Sequence, residues 1–557
     1  MKCFNKYLYF IILFLFGFQT KLIDALSSPL TYLNLPEKHI TVVIPSFNNQ
    51  AWYKRNLDSI LEQKYSNYNV IYIDDCSRDN TSQLVEEYLK KHAQGFRVKL
   101  VKNSYRKGAL ENLWQSIHNC SPTDIIATID GDDFLDNNDS YIFQKLNTLY
   151  STNNIWLTYG QFQMSSNGSL GWCTPMPNDV IAHNSYRSHQ NIPSHLRTFY
   201  AALYHKIALK DLIYRDSFYP MAWDIAMMIP MIEMAGKHHY FVDTPWYIYN
   251  DETPINDHKV NKQYQSYLAR LLRSKSSYMP LENLMLEQMP DKKTSIVIFS
   301  EESPWYLAAM LNSLQKYMPI KDIHVIYKTK DEKIRKLYEH IAEQFRYIQL
   351  HRVNPRIPYY LKYQAPKLIA SLECDYIFVA HDNALLTNYV SIDSCIKAME
   401  KTHAYGFYLR QGKNITYNAS SFSPQKLPPL FEIEPGIYAW KFCDGEGDWA
   451  YPSNFDITLY KKADFLKAVS SGHFNDSSSL EIAWGSNIEF DQVGLCFEHS
   501  LAVKIVPKKE TGTPFSSYEL TEAYEQGYYF DEKFITNTSP TTCVDYILPI
   551  NINLKGN

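Results

Sequence analysis

Short, uninterrupted apolar runs that stop in polar clusters constrain this chain more than any other feature. The first is Ile40-Thr41-Val42-Val43-Ile44, stopped by Pro45. The second, Val70-Ile71-Tyr72-Ile73, runs into Asp74-Asp75, and a third, Ile125 to Ile129, runs into Asp130-Gly131-Asp132-Asp133. Runs this short, apolar on both faces, read as buried parallel strands. Between them the apolar spacing is helical, with Leu57, Ile60 and Leu61 marking a helix over 53–64. Helices over 82–92 and 109–119 and a strand over 98–102 continue the alternation. Strand, helix, strand in this rhythm predicts an α/β fold with a mostly parallel sheet.

The rhythm returns in the second half. Strands are predicted over 295–299, 323–327, 347–350 and 375–380, with helices over 306–316, 332–344 and 364–373 between them. The polar stretch 273–293, containing Pro280 and Pro290, is the expected junction, and the spacing of Leu281, Leu284 and Leu286 predicts a short helical connector inside it. The domain plan is therefore 1–25 as a leader or anchor, 38–272 and 294–557 as two α/β domains, and 273–293 as linker. The length of 557 residues leaves room for three or four domains at roughly 100–200 residues each. Hydrophobic residues at 45% and charged residues at 20% exclude a disordered chain, a collagen and a multi-span membrane protein. A net charge of -4 gives no basic footprint for nucleic acid.

A basic start, Lys2 and Lys6, precedes an apolar run from Tyr7 to Phe18. As a helix those residues would span about 18 Å, short of a bilayer's hydrocarbon core. The segment reads as a secretory signal cleaved near Ala25, placing the chain in a secretory pathway or periplasm; the alternative is an uncleaved anchor that ties it to a membrane. Of nine cysteines, Cys3 lies in this segment and eight remain, a number compatible with disulfides and equally with scattered thiols.

In open α/β sheets, ligands bind at the carboxyl ends of the strands. Three clusters converge on that edge: Pro45-Ser46-Phe47-Asn48, Asp74-Asp75-Cys76-Ser77-Arg78-Asp79, and Asp130-Gly131-Asp132-Asp133. Folding gives no reason to gather acids there, since like charges repel. A divalent cation is their natural partner, and hard cations such as Mg²⁺ or Mn²⁺ leave positions open for phosphate.

These ordered motifs carry a resemblance. The segment from about 41 to 250 resembles the family 2 glycosyltransferases, whose GT-A fold is a nucleotide-sugar-binding Rossmann-type architecture. TVVIPSFNN resembles the family's first strand and loop, IYIDDCSRDNT its acidic second segment, and ATIDGDDFLD its metal-binding DxD segment. The resemblance implies a nucleotide-sugar donor, a UDP-sugar first, a Mn²⁺ or Mg²⁺ ion, and a carbohydrate or glycoconjugate acceptor. By position, Pro45, Ser46 and Asn48 match the loop lining the nucleotide pocket, and Asp75 the acid that meets the base. Arg106, Lys107 and Asn112 match the stretch that seats the donor. Asp130 and Asp132 match the metal-binding pair, with Asp133 beside them facing the sugar or the metal shell. Asp224 matches the catalytic base, although Trp223 stands where the family usually has Glu. One base with direct displacement implies inversion at the anomeric carbon.

The second half resembles a further GT-A-like domain more weakly, through the strand DYIFVAHDN, in which Asp382 is the metal candidate. The fold expected is thus α/β with two GT-A-like domains in tandem. Gly445-Glu446-Gly447-Asp448-Trp449 reads either as a sugar-facing loop, with Trp449 as a stacking face, or as an ordinary turn. The function expected is a metal-dependent inverting glycosyltransferase. The alternatives are an inactive glycan-binding protein that keeps the fold and a bifunctional transferase with both halves active.

Overall fold

The structure is a computed structural model that describes residues 35–190, 193–254, 257–284, 286, 292–318, 320–357, 360–418, 423–486, 488–505, 515–526 and 544–546. The expected leader at 1–25, with Cys3, and also Cys543 lie outside the described residues. The chain divides into two compact units, Met1–Ile207 with Phe218–Gln288, and Ala208–Ser217 with Met289–Asn557. Among the described residues no helix is long and apolar enough to cross a membrane.

The first unit is built on β1 (Ile40–Ser46), α1 (Tyr53–Leu61), β2 (Tyr68–Asp74), α2 (Thr81–Lys91), β3 (Val98–Lys102), α3 (Ala109–Ile117) and β4 (Ile125–Thr128). It continues through β5 (Phe134–Leu135), α4 (Ile142–Thr152), β6 (Leu157–Met164), β7 (Arg197–Tyr200), α5 (Trp223–Ala235) and β8 (His239–Tyr249). The sheet order is β3-β2-β1-β4-β7-β6-β8-β5. β1 lies parallel to both β2 and β4, so Val42, Val43 and Ile44 are fully buried. That double burial is why the run is apolar throughout rather than alternating. β7 is antiparallel to both β4 and β6, while β8 runs parallel to β6. Helix α5 is apolar on every side (Ile225, Met227, Met228, Ile229, Ile232) and is buried accordingly.

The second unit comprises β9 (Thr294–Glu301), α6 (Pro304–Tyr317), β10 (Ile323–Lys328), α7 (Glu332–Gln344), β11 (Ile348–Val353), α8 (Tyr360–Ser371), β12 (Tyr376–His381), β13 (Ala384–Leu386), α9 (Ile392–Thr402) and β14 (Gly406–Tyr408). After these come β15 (Phe431–Glu434), β16 (Ile437–Lys441), β17 (Asp456–Lys461), α10 (Lys462–Ser471), α11 (Ser477–Gly485), β18 (Val493–Phe497) and β19 (Ala502–Ile505). Its main sheet has the order β11-β10-β9-β12-β17-β14-β18-β16-β15. An aromatic core of Trp440, Trp449, Phe455, Tyr460 and Trp484 fills one side of it.

The α/β alternation is found in both halves, and the structure corrects three details. The described residues 281–284 and 286 form no helix, so the leucine spacing there does not make a connector helix. Trp449 is no stacking face: it is fully buried, its indole N–H donating to the Ile415 carbonyl at 3.2 Å. All seven described cysteines are free thiols, which favours scattered thiols over disulfides among the described residues.

Candidate functional site

The carboxyl edge of the first sheet gathers the residues that the sequence singles out. Gly131 sets how tightly they gather. Its N–H donates to the Pro45 carbonyl at 3.1 Å, and a Cβ at this position would lie 2.7 Å from Ser46 Oγ and 2.5 Å from Asn49 Nδ2. Only a residue without a side chain lets the acidic turn press against the β1 loop this closely. Asn56, fully buried on α1, secures the turn from below. Its amide donates to the Asp130 carbonyl at 3.0 Å and to the Asp133 carbonyl at 2.7 Å.

The β1 loop is laced to the next acidic segment. Asn48 adopts φ 56°, its N–H donates to Ser77 Oγ at 2.9 Å, and its Oδ1 accepts from the Arg78 N–H at 2.8 Å. Ser46 Oγ pairs with the Tyr72 hydroxyl at 2.8 Å and accepts from Asn49. Asp75 holds a third loop. Its Oδ1 accepts from Asn103 Nδ2 and the Lys107 N–H, and its Oδ2 from the Gly108 N–H at 2.8 Å. Burial alone would raise this carboxyl, but the neighbouring Asn112 amide and the donors of residues 103, 107 and 108 bring it below the usual carboxylate range. Gly108, at φ 90° and ψ 161°, turns the chain into α3 in a region that residues with side chains rarely adopt. The loop so placed sets the Arg106 guanidinium 3.9 Å from the centre of the Phe47 ring. The Lys107 ammonium turns away, donating to Gln115 at 2.7 Å.

On the other side of Gly131, four acids and two bases meet. Asp133 is buried and fully engaged, accepting from the Tyr247 hydroxyl at 2.6 Å and the Asn250 N–H at 2.7 Å. Asp130 and Asp132 are partly open. Burial pushes Asp130 up to about 6, an effect that Arg197 opposes and Asp224 adds to. Burial, reinforced by Asp130, pushes Asp132 up to about 7. Burial and the two neighbouring acids also raise Asp133 well above the usual range. Asp224, in the first turn of α5, receives the Ile225 N–H at 2.9 Å and faces Arg197 at 3.6 Å.

His195 and Arg197 escape the sequence reading. The register Thr128↔Arg197 brings β7 alongside the acidic turn. Arg197 is buried, donates to His195 Nε2 at 3.2 Å, and lies over the Trp223 ring at 5.2 Å. Burial, with Arg197 adding to it, pulls His195 well below the usual imidazole range, so the ring is neutral. His195 stacks on Tyr247 with centroids 4.4 Å apart, and its Nδ1 is buried without a hydrogen-bond partner. Ligand atoms of Asp130, Asp133 and His195 lie within 4.8 Å of one another, a trio that contains Asp130 of the expected metal pair but Asp133 in place of Asp132. Nothing in the one-dimensional pattern marks Ser194-His195-Leu196-Arg197, since only antiparallel pairing with β4 puts it here.

The sequence-predicted residues thus form two groups on either side of Gly131. Pro45, Ser46, Asn48, Asp75 and Arg106 lie to one side; Asp130, Asp132, Asp133 and Asp224 lie to the other. In the second unit Asp382 is buried and spends its Oδ2 on the Ser300 and Ser303 hydroxyls.

The acids of the first unit thus collect at the carboxyl edge of its parallel strands, the edge where open α/β sheets bind ligands. Residues 41–212 match the family described as "Glycosyl transferase family 2". A relative in Escherichia coli, the "UDP-Glc:alpha-D-GlcNAc-diphosphoundecaprenol beta-1,3-glucosyltransferase WfgD", is 31% identical over 134 residues, 24% of this chain and 48% of that protein. The chain thus spans about half the length of this curated relative. Among solved structures, S. aureus TarS 1-349 in complex with UDP-GlcNAc is 13% identical, covering 42% of this chain and 65% of the other at a TM-score of 0.32. The mannosyltransferase PcManGT from Pyrobaculum calidifontis in complex with GDP-Man and Mn2+ is 16% identical, covering 48% and 76% at a TM-score of 0.31.

Proposed function

We propose that the first unit is a metal-dependent, inverting glycosyltransferase that moves a sugar from a nucleotide-sugar donor to a hydroxyl of a glycan, glycoprotein or glycolipid. The observation that carries this reading is the approach of Asp224 and Arg197 to the Asp130–Asp133 turn, in the unit whose residues 41–212 match the family 2 model. The donor set fits a hard divalent cation, Mn²⁺ or Mg²⁺. Two carboxyls are raised by burial, Asp130 with help from Asp224 and Asp132 with help from Asp130, and a cation would offset both. Asp130 and Asp132 would hold the ion, with His195 beside them. When bound, it supplies charge neutralisation to the donor diphosphate.

The chain's own groups do the rest. Arg106 on Phe47 forms a flat cationic platform next to the β1 loop, suited to the nucleotide. Asp75 orders the loop that carries this platform, and its Oδ2, with one donor already, keeps a lone pair for a base N–H. Asp133 steadies the acidic turn through Tyr247 and Asn250. Asp224 takes the proton of the acceptor hydroxyl as general base. Arg197 positions Asp224, and the Trp223 ring backs its guanidinium. The donor is assigned as a UDP-sugar, the class named for the Escherichia coli relative. The segment 1–25 serves as a secretory signal or a short membrane anchor.

The test is nucleotide release from a panel of UDP-, GDP- and TDP-sugars with Mn²⁺. Asp132→Ala is expected to lose ~10²-fold or more, the share typical of electrostatic stabilisation. Near-normal turnover in that variant would sink the assignment. No release from any donor, with saturable glycan binding retained, would favour a glycan-binding protein.

A further inference from the structure

The two sheets share one connectivity from their first edge inward. In each, three parallel strands are followed by a fourth, β4 or β12, lying beside the first. An antiparallel strand, β7 or β17, comes next, and then a parallel pair, β6 with β8 or β14 with β18. The registers therefore let positions be matched one by one.

The Gly131 N–H donates to the Pro45 carbonyl at 3.1 Å, and the Asp382 N–H donates to the Phe299 carbonyl at 3.1 Å. A side chain on Gly131 would run into Ser46 Oγ, and the Asp382 carboxylate does meet Ser300 Oγ, at 2.5 Å. Asp382 thus holds the place of Gly131, not that of an acid. His381 and Asn383 then match Asp130 and Asp132, and Ala384 matches Asp133. On the β1–β2 ladder Ser46 pairs with Asp74, and on β9–β10 Ser300 pairs with Tyr327. Lys328 therefore stands where the first unit has Asp75, and it pairs with Glu301 at 2.6 Å.

The partner across the turn differs as well. Asp130 has His195 near it, whereas His381 has Phe455 across from it on the ladder and Asp456, next along a bulge in β17, at 3.7 Å. Asp456 is buried and already neutralised by the chain. Arg410 bonds its Oδ2, and the Lys504 ammonium lies 3.2 Å from its Oδ1. Asn475, Asp476 and Ser477 line a small recess over the ends of β9, β10 and β11, and Asp476 is tied down as the cap of α11.

We infer that the second unit repeats the first unit's architecture but takes neither a divalent cation nor a nucleotide at its strand ends. Beside His381 the buried Asp456 is already paired with Arg410 and Lys504. One chain then carries one transfer site, and the second unit is not a second transferase.

The experiment uses the full chain carrying Asp130→Asn and Asp132→Asn, titrated with Mn²⁺ by electron paramagnetic resonance and with UDP plus Mn²⁺ by calorimetry. The expected result is loss of all saturable Mn²⁺ and UDP binding. Retention of about one equivalent of either that is lost on adding Asp456→Asn or Lys328→Ala would overturn the inference, and retention lost instead on adding Asp75→Ala would place it in the first unit and support it. Failure of the first-unit reading looks different: the unsubstituted chain itself would bind no Mn²⁺, and the inference would stand.

Discussion

Proton competition at the acidic turn should govern metal affinity, and Asp132→Asn isolates it. Burial, with Asp224 adding to it, raises Asp130 to about 6, and burial, with Asp130 adding to it, raises Asp132 to about 7. A cation binds the deprotonated carboxylates, so below these values it must displace protons. Between pH 8 and pH 5, Asp132 alone should cost about 90-fold in affinity and Asp130 about 10-fold. Together the fall is roughly 10³-fold, or about 4 kcal/mol. In Asp132→Asn the affinity at pH 8 drops, but the fall to pH 5 shrinks to about 10-fold. The sign reverses for the stability of the metal-free protein. A carboxyl raised on folding binds more protons in the native state, so the stability these two contribute is full below about pH 4 and is lost as pH rises through 6 to 7. Added Mn²⁺ should restore the melting temperature on the alkaline side and do little at pH 5. The assay is Mn²⁺ titration by calorimetry from pH 5 to 8 alongside thermal melts. A pH-independent affinity, or equal slopes in the two proteins, would refute the reasoning.

Two further outcomes are expected. Gly131→Ala forces a methyl to within 2.7 Å of Ser46 Oγ, so it should destabilise by about 1–3 kcal/mol in chemical denaturation and separate the two halves of the site, lowering donor affinity. Asp224→Asn should lower kcat by about 10²–10⁴-fold while Mn²⁺ binding is kept and the Asp130 share of its pH slope shrinks, since Asp224 helps raise that carboxyl; steady-state kinetics alongside metal titration would show both.

Much of the site was legible because strand ends concentrate it. Pro45, Asp75 and Asp130 each end or directly follow an apolar run, and parallel pairing brings those ends to one edge whatever the helices between them do. Asp224 was legible only through family resemblance, since no pattern marks the first turn of an all-apolar helix as catalytic. His195 and Arg197 were not legible at all. Their place depends on β7 entering antiparallel between β4 and β6, a long-range pairing that leaves no local periodicity.

The second unit shows the same division. Its apolar runs announced an α/β sheet, and Asp382, following one of them, looked like a remaining metal-binding acid. The register puts it instead at the position of Gly131, bonded to two serines, while Asp456 is matched to Arg410 and Lys504. Hydrophobic periodicity is a local property, so the sequence alone determined the strands, their alternation with helices and the edge where ligands belong. Which side chains face one another across that edge depends on register between distant segments. One added side chain or one acid already paired with the chain's own cations removes a cation site, and only the tertiary structure decided that.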